Sequence, residues 1–278
     1  MNIQKNIKLN GINISNDSSL ILILGPCQLE SLSHSIMIIE TILNICEKHK
    51  LEFIFKSSFD KANRTSHSSI RGLGLDQGLK IFQELKAQFD VPILTDVHHP
   101  TQCQLVAPHV DIIQIPAFLC RQTDLILAAG ETNKIVNIKK GQFLSANEML
   151  QVAKKFQSTG NNQVILTERG TSFGYNDLIC DMRSLETLKK NGFPVILDAT
   201  HSIQKPGEQG SKSGGEREFI EPLARAGTSL GLAGLFLETH EQPERAPSDG
   251  ESMLHLENLE PLLAKVIAID KTVKSFQQ

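Results

Sequence analysis

Short runs of apolar residues alternate with longer amphipathic segments along most of the chain, and this alternation predicts the fold. Each short run is apolar throughout, as expected for a strand of a parallel sheet that is buried on both faces. The segments between the runs carry apolar residues at helical spacing. The predicted strands span residues 20–24, 53–55, 91–94, 112–115, 135–138, 164–166, 195–197 and 232–237, and the predicted helices span residues 31–48, 74–89, 101–106, 122–129, 145–156, 178–189, 217–226 and 256–276.

Eight strand–helix units in a chain of 278 residues predict an α/β protein with the (β/α)8 TIM-barrel architecture. Two short alternating runs flank Asn10-Gly11 near the N-terminus, which is a strong signal for a β-hairpin. We therefore expect one domain over residues 1–278, in which a hairpin at residues 1–16 caps the bottom of a barrel at residues 17–278. An open doubly wound sheet is the alternative, but no Gly-x-Gly-x-x-Gly motif follows the first predicted strand.

The composition excludes several classes of function. A net charge of −3 creates no general attraction to nucleic acid or to a membrane surface, and one Tyr with no Trp makes base stacking an unexpected mode of binding. The polar N-terminus does not resemble a signal peptide, and no apolar run is long enough to span a membrane. Five cysteines without paired spacing indicate a reducing compartment, so we expect a cytoplasmic protein. Because neither nucleic acid nor a membrane is an expected partner, we expect its ligands to be small molecules.

Titratable side chains gather where the predicted strands end, which is the face that carries the active site in a barrel. Four of them are cations that would repel one another unless an anion lies between them, so they predict an anionic substrate. The segment 55–66 also combines cations with short hydrogen-bond donors, a pattern that suits a phosphorylated or carboxylated ligand. The side chains at the strand ends are Cys27, Lys56, Lys61, Asp96, Lys139, Arg169, His201 and Glu238.

A metal site is the second chemistry that these positions predict. Cys27, His201 and Glu238, together with Asp249 in the loop after the last strand, offer a plausible ligand set for Zn²⁺, Fe²⁺ or Mn²⁺. The alternative for Cys27 is a buried, inert thiol, which is the commoner fate of a cysteine beside an apolar strand. Three more histidines are expected around the site or at the surface: His98, His99 and His240.

Nine motifs carry a close resemblance to a known family, from about Gly25 to the last helix. They are GPCQLES (25–31), FKSSFDKANRTS (55–66), TDVH (95–98), QIPAFLCRQTDL (114–125), NIKKGQF (137–143), TERGTSFGYNDL (167–178), DATHSIQ (198–204), KSGGEREF (212–219) and ETHEQPERAPSDG (238–250). In these motifs the chain resembles the 3-deoxy-D-manno-octulosonate 8-phosphate synthases, also called 2-dehydro-3-deoxyphosphooctonate aldolases. The resemblance implies condensation of phosphoenolpyruvate with D-arabinose 5-phosphate, a step toward the inner-core sugar of lipopolysaccharide.

The resemblance also implies a cofactor. Enzymes of the metal-dependent branch have Cys where Cys27 stands, whereas the metal-independent branch has Asn. A divalent ion (Zn, Fe, Mn or Co) is therefore implied, with Cys27, His201, Glu238 and Asp249 as its ligands.

The same resemblance assigns the substrates. It implies that phosphoenolpyruvate is bound by Lys61, Lys139 and Arg169, with Lys56 and Gln142 nearby. It implies that the aldose phosphate is bound by the KANRTS segment (61–66) of a neighbouring subunit in a homotetramer, chiefly through Arg64 and the hydroxyl of Thr65, where the family often has Ser. The implied substrate-binding set also includes Ser58 and Asn63, and the implied catalytic residues are Lys61, Lys139, His201, Asp96 and Asp249. Apart from the resemblance, the glycines of the loop at residues 204–215, together with Lys205 and Lys212, predict a lid that closes over the substrates, and a long surface loop is the alternative.

Three other functions remain open at this stage. The sister synthase that uses erythrose 4-phosphate shares the fold and metal ligands, but it typically has Lys-Pro-Arg-Thr where this chain has Lys61-Ala62-Asn63-Arg64-Thr65. A sialic-acid-type synthase is disfavoured for the same reason. A barrel that binds metal or sugar phosphate without catalysis is disfavoured because the cation set and the ligand set are both complete.

Overall fold

The computed structural model describes residues 5–64, 66–207 and 214–276. Strands and helices alternate along it as the hydrophobic pattern predicts. In chain order the strands are β1 (Ile7–Leu9), β2 (Ile12–Ile14), β3 (Ile21–Gly25), β4 (Phe53–Lys56), β5 (Ile93–Asp96), β6 (Ile112–Ile115), β7 (Ile135–Lys139), β8 (Val164–Glu168), β9 (Thr171–Gly174), β10 (Asp177–Ile179), β11 (Val195–Asp198), β12 (Gln204–Lys205), β13 (Gly214–Gly215), β14 (Gly234–His240) and β15 (Leu254–His255). The helices are α1 (Leu32–His49), α2 (Leu75–Gln88), α3 (Pro100–Val106), α4 (Thr123–Gly130), α5 (Ala146–Gln157), α6 (Met182–Lys190), α7 (Ile220–Thr228) and α8 (Leu259–Ser275).

Eight parallel strands form a closed barrel, which confirms the predicted fold class. The strand order is β3-β4-β5-β6-β7-β8-β11-β14, and β14 pairs in parallel with both β11 and β3. A helix follows each of these strands before the next one begins. The carboxyl ends of all eight strands therefore meet at one mouth of the barrel.

Two apolar layers explain why the strands are hydrophobic at every position. Side chains alternate between the two faces of a strand, so Ile21 and Ile23 of β3 point into the barrel while Leu22 and Leu24 face the helices. The inner layer continues around the barrel with Ile54, Leu94, Ile112, Ile135, Ile165, Ile196 and Phe236. The outer layer joins the strands to the helices and holds most of the core.

The N-terminal hairpin closes the bottom of the barrel, as predicted. Strands β1 and β2 pair around Asn10 and Gly11, which both have positive φ angles as this type of two-residue turn requires. The apolar face of the hairpin belongs to the same core cluster as the inward-facing residues of the barrel strands. Its buried side chains are Ile7, Leu9, Ile12 and Ile14.

The sixth helix is shorter than predicted. Residues 178–189 were expected to be largely helical, but Leu178 and Ile179 belong to β10, and α6 begins at Met182. Tyr175 and Asn176 have positive φ angles and turn β9 back onto β10, so this stretch forms an antiparallel hairpin above the barrel. The prediction was wrong here because the apolar spacing of a helix and that of a short half-exposed hairpin cannot be separated over four residues.

Among the described residues, no helix is long and apolar enough to cross a membrane.

The packing of the hairpin generates a stability prediction. Ile14 is fully buried between the hairpin and the barrel, so Ile14→Ala should lower the free energy of unfolding by about 2–5 kcal/mol, measured by urea denaturation. Lys8→Ala, at an exposed position of β1, is the matched control and should change it by less than about 0.5 kcal/mol. Equal effects of the two changes would mean that the hairpin does not contribute to the core.

Candidate active site

The alternation of side chains places charged residues directly above the inner apolar layer. Lys56 follows Ile54 by two positions, and Glu238 follows Phe236 by two, so each points into the barrel one step closer to the mouth. The same relation holds for Asp96 after Leu94 and for Asp198 after Ile196. Lys139 and Arg169 follow the inward-facing residues Ile135 and Ile165 by four positions, which places them one further step toward the mouth. The strand period therefore builds a polar layer on top of the apolar one.

This polar layer forms the floor of a cavity of about 830 Å³. A volume of that size lies within the range of roughly 300–1,000 Å³ that small-molecule sites occupy. Its walls combine the strand ends with the loops after β4, β6, β11 and β14. The sequence-predicted residues among its lining are Lys56, Lys61, Asn63, Arg64, Asp96, His98, Lys139, Gln142, Arg169, His201, Glu238 and Asp249.

Two of the four predicted cations are neutralised by carboxylates of the same chain. The Lys56 ammonium lies 2.6 Å from Glu238 Oε1 and donates to the carbonyl oxygen of Cys27, and Lys139 is ion-paired with Asp198. The expectation that the four cations need a bound anion to coexist is therefore wrong for Lys56 and Lys139. The two partners of each pair lie two strands apart in the closed sheet, so buried charges inside the barrel already compensate one another.

Lys61 and Arg169 keep more of their charge available to a ligand. Lys61 donates to Ser58 Oγ at 2.9 Å, and Arg169 donates through Nη2 to Gln204 Oε1 at 2.7 Å, so the acceptors of both bonds are neutral. Arg169 Nη1 and Gln142 Oε1 are buried and have no hydrogen-bond partner among the residues that the structure describes. Burial lowers the pKa of Arg169, whereas for Lys61 burial is outweighed by the acidic groups of Cys27, Glu238, Asp96 and Asp249, which raise its pKa.

Three of the four predicted metal ligands converge beside these cations. Ligand atoms of Cys27, Glu238 and Asp249 lie within 4.8 Å of one another, and Cys27 Sγ is 3.0 Å from Asp249 Oδ2. A thiol and two carboxylates this close are a donor set that fits a divalent cation. The end of β3, just before Cys27, lies close to the backbone of Lys56. Only glycine fits there, because the φ of Gly25 is +149° and a Cβ would lie 2.1 Å from the Lys56 carbonyl oxygen.

The fourth predicted ligand, His201, lies at the edge of this group. Its Nε2 is 3.5 Å from Glu238 Oε2, and its Nδ1 is 2.6 Å from Asp198 Oδ2. Asp198 thus holds the ring with Nε2 turned toward the other ligands, as carboxylates commonly do for metal-binding histidines. Burial opposes ionisation of Glu238, but Lys56 and His201 outweigh it and hold its pKa well below the ordinary value.

Asp96 completes the floor of the cavity. Its Oδ2 is 3.1 Å from His98 Nε2, and its Oδ1 is buried without a partner among the described residues. Burial raises the pKa of this carboxyl, but His98 and Lys61 outweigh burial and lower it. Of the other candidate histidines, His99 caps α3 and His240 lies in a separate cluster described below.

The rim segment around Arg64 lies over the cavity of its own chain. Arg64 donates to Ile70 O at 2.8 Å, to Ser248 Oγ at 2.9 Å and to Pro247 O. Asn63 is exposed on the same rim. Two predicted features, the hydroxyl of Thr65 and the central part of the closing loop at 208–213, lie outside the described residues.

Several residues that organise the site were not predicted. Asp198 pairs with both Lys139 and His201, although it reads in sequence as an ordinary strand end. Asn137 donates to Gln114 and accepts from Thr167, which links three strands below the cavity. Each of these four residues, Gln114, Asn137, Thr167 and Asp198, lies two positions after an inward-facing apolar residue of its strand. The alternation of side chains along a strand therefore identifies all four as inward-facing.

Lys140 is a further unpredicted organiser, and it is fully buried. Its ammonium donates to the carbonyl oxygens of Gly141, Leu144 and Gly170 and lies 3.4 Å from Glu168 Oε1. It thereby fixes the turn that carries Arg169.

Comparison with known proteins places this site in a family. The sequence profile of the DAHP synthetase I family matches residues 2–275. The chain belongs to the DAHP synthetase I family. This assignment covers the barrel, the N-terminal hairpin and every residue of the candidate site.

Three relatives that match nearly the whole chain carry the name 2-dehydro-3-deoxyphosphooctonate aldolase. The protein of that name from Rickettsia prowazekii (strain Madrid E) is 51% identical over 271 residues, which cover 98% of each chain. The one from Rickettsia canadensis (strain McKiel) is 52% identical over 271 residues, covering 98% of this chain and 99% of the relative. The one from Bartonella henselae (strain ATCC 49882 / DSM 28221 / CCUG 30454 / Houston 1) is 53% identical over 264 residues and 95% of each chain. The family resemblance carried by the motifs is confirmed.

The environment of Cys27 generates a prediction about metal binding. Burial raises the pKa of the Cys27 thiol well above its ordinary value, and Asp249 and Glu238 raise it further, so without metal the group is protonated at neutral pH. Because only the thiolate binds metal, Zn²⁺ binding at pH 7 should release about one more proton from the parent than from Cys27→Ser. Titration calorimetry in buffers of different ionisation enthalpy measures this difference.

The matched control is Cys103→Ser, which changes a buried thiol outside the cavity and should release protons like the parent. Equal proton release by the parent and Cys27→Ser would show that Cys27 is an inert thiol rather than a ligand.

Proposed function

We propose that this chain condenses phosphoenolpyruvate with D-arabinose 5-phosphate and water, giving 3-deoxy-D-manno-octulosonate 8-phosphate and phosphate. The relatives that share about half of its residues over nearly its whole length carry the name of that enzyme. The observation in the structure that carries the proposal is the meeting of Lys61, Arg169, Glu238 and Asp249 in one cavity, with the Cys27 thiol beside the two carboxylates. The chain would therefore be a transferase that forms a C–C bond on a path toward lipopolysaccharide.

Phosphoenolpyruvate would bind at the floor of the cavity. Its phosphate and carboxylate need cationic donors, and Lys61 and Arg169 have no carboxylate among their described hydrogen-bond acceptors. Lys139 would line the same subsite and contact phosphoenolpyruvate there, although Asp198 already compensates part of its charge. Gln142 and Lys56 would border it, and Ser58 would act by holding Lys61 in place.

The phosphate of arabinose 5-phosphate would bind at the rim, on Asn63, Arg64 and Thr65. The described acceptors of Arg64 are two carbonyl oxygens and one hydroxyl, so its charge is not neutralised within the described part of the chain. A guanidinium suits bidentate binding of a phosphate. We propose that this segment also serves the site of a neighbouring subunit in a homotetramer.

The cluster of Cys27, His201, Glu238 and Asp249 would hold a divalent ion, either Zn²⁺, Fe²⁺, Mn²⁺ or Co²⁺. Such an ion supplies Lewis acidity toward a carbonyl oxygen or a water molecule and fixes the position of its ligands. Asp198 would keep His201 in the tautomer whose Nε2 is free to coordinate.

The residues of the chain would then guide three bond changes. The third carbon of phosphoenolpyruvate attacks the aldehyde carbon of the open-chain sugar. Water adds to the second carbon of phosphoenolpyruvate, and phosphate then leaves by cleavage of the bond between that carbon and the phosphate oxygen. Lys61, Lys139 and Arg169 would stabilise charge that develops on the substrate carboxylate and phosphate. Asp96 lies where its unpartnered oxygen would hold a sugar hydroxyl or accept a proton.

We propose further that the closed barrel and its hairpin form a single domain and that the protein works in the cytoplasm. Every barrel strand pairs with two neighbours, and no second core is separate from this sheet within the described residues. Substrates of this kind are cytoplasmic metabolites, and the proposal includes no nucleic-acid or membrane partner.

A phosphate-release assay tests the function directly. With phosphoenolpyruvate present, arabinose 5-phosphate should support turnover at least 100-fold faster than erythrose 4-phosphate, because the rim at 61–65 differs from the typical sequence of the sister synthase. Chelator-treated protein should lose this activity and regain it, to differing extents, with Mn²⁺, Zn²⁺, Fe²⁺ or Co²⁺. Preference for erythrose 4-phosphate would assign the sister reaction, and full activity of verified metal-free protein would remove the metal from the proposal.

Arg64→Ala should raise the KM for arabinose 5-phosphate about 10- to 100-fold, because it removes charge-assisted hydrogen bonds to the phosphate. The KM for phosphoenolpyruvate should change less than about threefold, as measured by steady-state kinetics. Arg64→Lys should restore only part of the loss, since an ammonium cannot bind the phosphate in bidentate fashion.

Arg71→Ala is the matched control for this experiment, because Arg71 is exposed on the same loop and paired with Asp60. It should leave both KM values near those of the parent. If Arg64→Ala raises both KM values equally, then Arg64 does not bind the phosphate of arabinose 5-phosphate and its assignment to that subsite is wrong.

A further inference from the structure

A second group of metal-ligand side chains lies at the outer edge of the barrel mouth. One ligand atom from each of Glu30, His34 and His240 lies within 4.8 Å of the other two. Glu30 follows β3, His34 lies in the first turn of α1, and His240 is the last residue of β14. The proposed reaction uses none of the three.

This group is distinct from the cluster around Cys27. The two groups have no member in common: the ligand atoms that lie within 4.8 Å of one another are those of Glu30, His34 and His240 in one group and those of Cys27, Glu238 and Asp249 in the other.

Short contacts hold the side chains of the group together. His240 Nε2 lies 2.8 Å from Glu30 Oε1, and His34 Nε2 lies 3.0 Å from Glu241 Oε2. Glu241 Oε2 is also 3.2 Å from His240 Nδ1, which accepts a hydrogen bond from the Gln242 backbone at 2.9 Å. The two imidazole rings are 4.9 Å apart between centroids. Two histidines are thus held against two carboxylates.

One nitrogen in this group is unsatisfied. His34 Nδ1 is buried and has no hydrogen-bond partner among the described residues. Because the other nitrogen of the ring faces the Glu241 carboxylate, a neutral His34 carries its proton there and leaves a lone pair on Nδ1. A buried lone pair without a partner is uncommon in native structures, and a metal ion is one group that satisfies it.

We propose that Glu30, His34 and His240 form a second divalent-metal site, with Glu241 orienting His34 or serving as the fourth ligand. Two imidazoles with carboxylates are a donor set that suits Zn²⁺. Tetrahedral zinc places its ligand atoms roughly 3.3 Å apart, so side-chain shifts of about 1–2 Å adapt the present geometry. The ion would tie the loop that carries Cys27 to the end of the strand that carries Glu238.

Cobalt binding separates the two sites. Co²⁺ at the Cys27 site should give a sulfur-to-metal charge-transfer band, whereas Co²⁺ at the second site has no sulfur ligand and gives none. The parent should bind two ions per chain and show the band. His34→Ala should bind one and keep the band, and Cys27→Ser should bind one and lack it.

Stability supplies an independent measurement. A ligand that binds only the folded state raises Tm. Zn²⁺ should therefore raise the Tm of Cys27→Ser and should leave the Tm of Cys27→Ser/His34→Ala unchanged. Glu30→Gln, at a half-buried position, is a second variant that should lose the same ion with less risk to folding.

The matched control is His67→Ala, which removes an exposed histidine outside both clusters and should still bind two ions. The proposal is overturned if the parent saturates at one ion and His34→Ala binds as many. In that case the four side chains form a hydrogen-bonded network and not a metal site.

Discussion

The pairing of buried charges between strands that lie two apart in the barrel is the constraint on which this active site depends. Lys56 with Glu238 and Lys139 with Asp198 place two cations and two anions on the floor of one cavity. A buried charge without a partner costs several kcal/mol, so the site must be nearly neutral within itself before any substrate arrives. What remains for a ligand is the small excess of charge on Lys61 and Arg169 and the ligand atoms around Cys27.

The strand period explains why much of this arrangement was predictable. Short, wholly apolar runs identified the barrel, and the residues directly after them identified the cations, Cys27, Glu238 and His201. The role of Asp198 was missed because its partners, Lys139 and His201, lie on a different strand and on a later turn, and spacing in sequence does not reveal pairing in space. The β9–β10 hairpin was missed because a few half-exposed residues carry too little periodicity to distinguish it from a helix end.

The loop after β14 is where several parts of the site are joined. Asp249 has a positive φ of 53°, and Gly250 beside it leaves no room for a Cβ next to the Pro243 carbonyl oxygen. Arg64 holds this loop from one side, and Arg217 donates to the Gly250 carbonyl oxygen at 2.7 Å from the other. Because Asp249 is both a proposed metal ligand and a neighbour of the phosphate-binding rim, substrate that engages Arg64 would act directly on the geometry of the metal cluster.

This arrangement also suggests where specificity for the sugar resides. The inward positions of the barrel strands are occupied by charge pairs and by the hydrogen-bonded layer of Gln114, Asn137 and Thr167, and a change there would leave a buried partner unsatisfied. The rim around Asn63 and Arg64 is exposed or half-exposed, and the acceptors of Arg64 there are two carbonyl oxygens and one hydroxyl, so a substitution at the rim leaves no buried charge unpaired. The proposed phosphoenolpyruvate site can therefore stay fixed on the floor while changes at the rim alter which aldose phosphate binds.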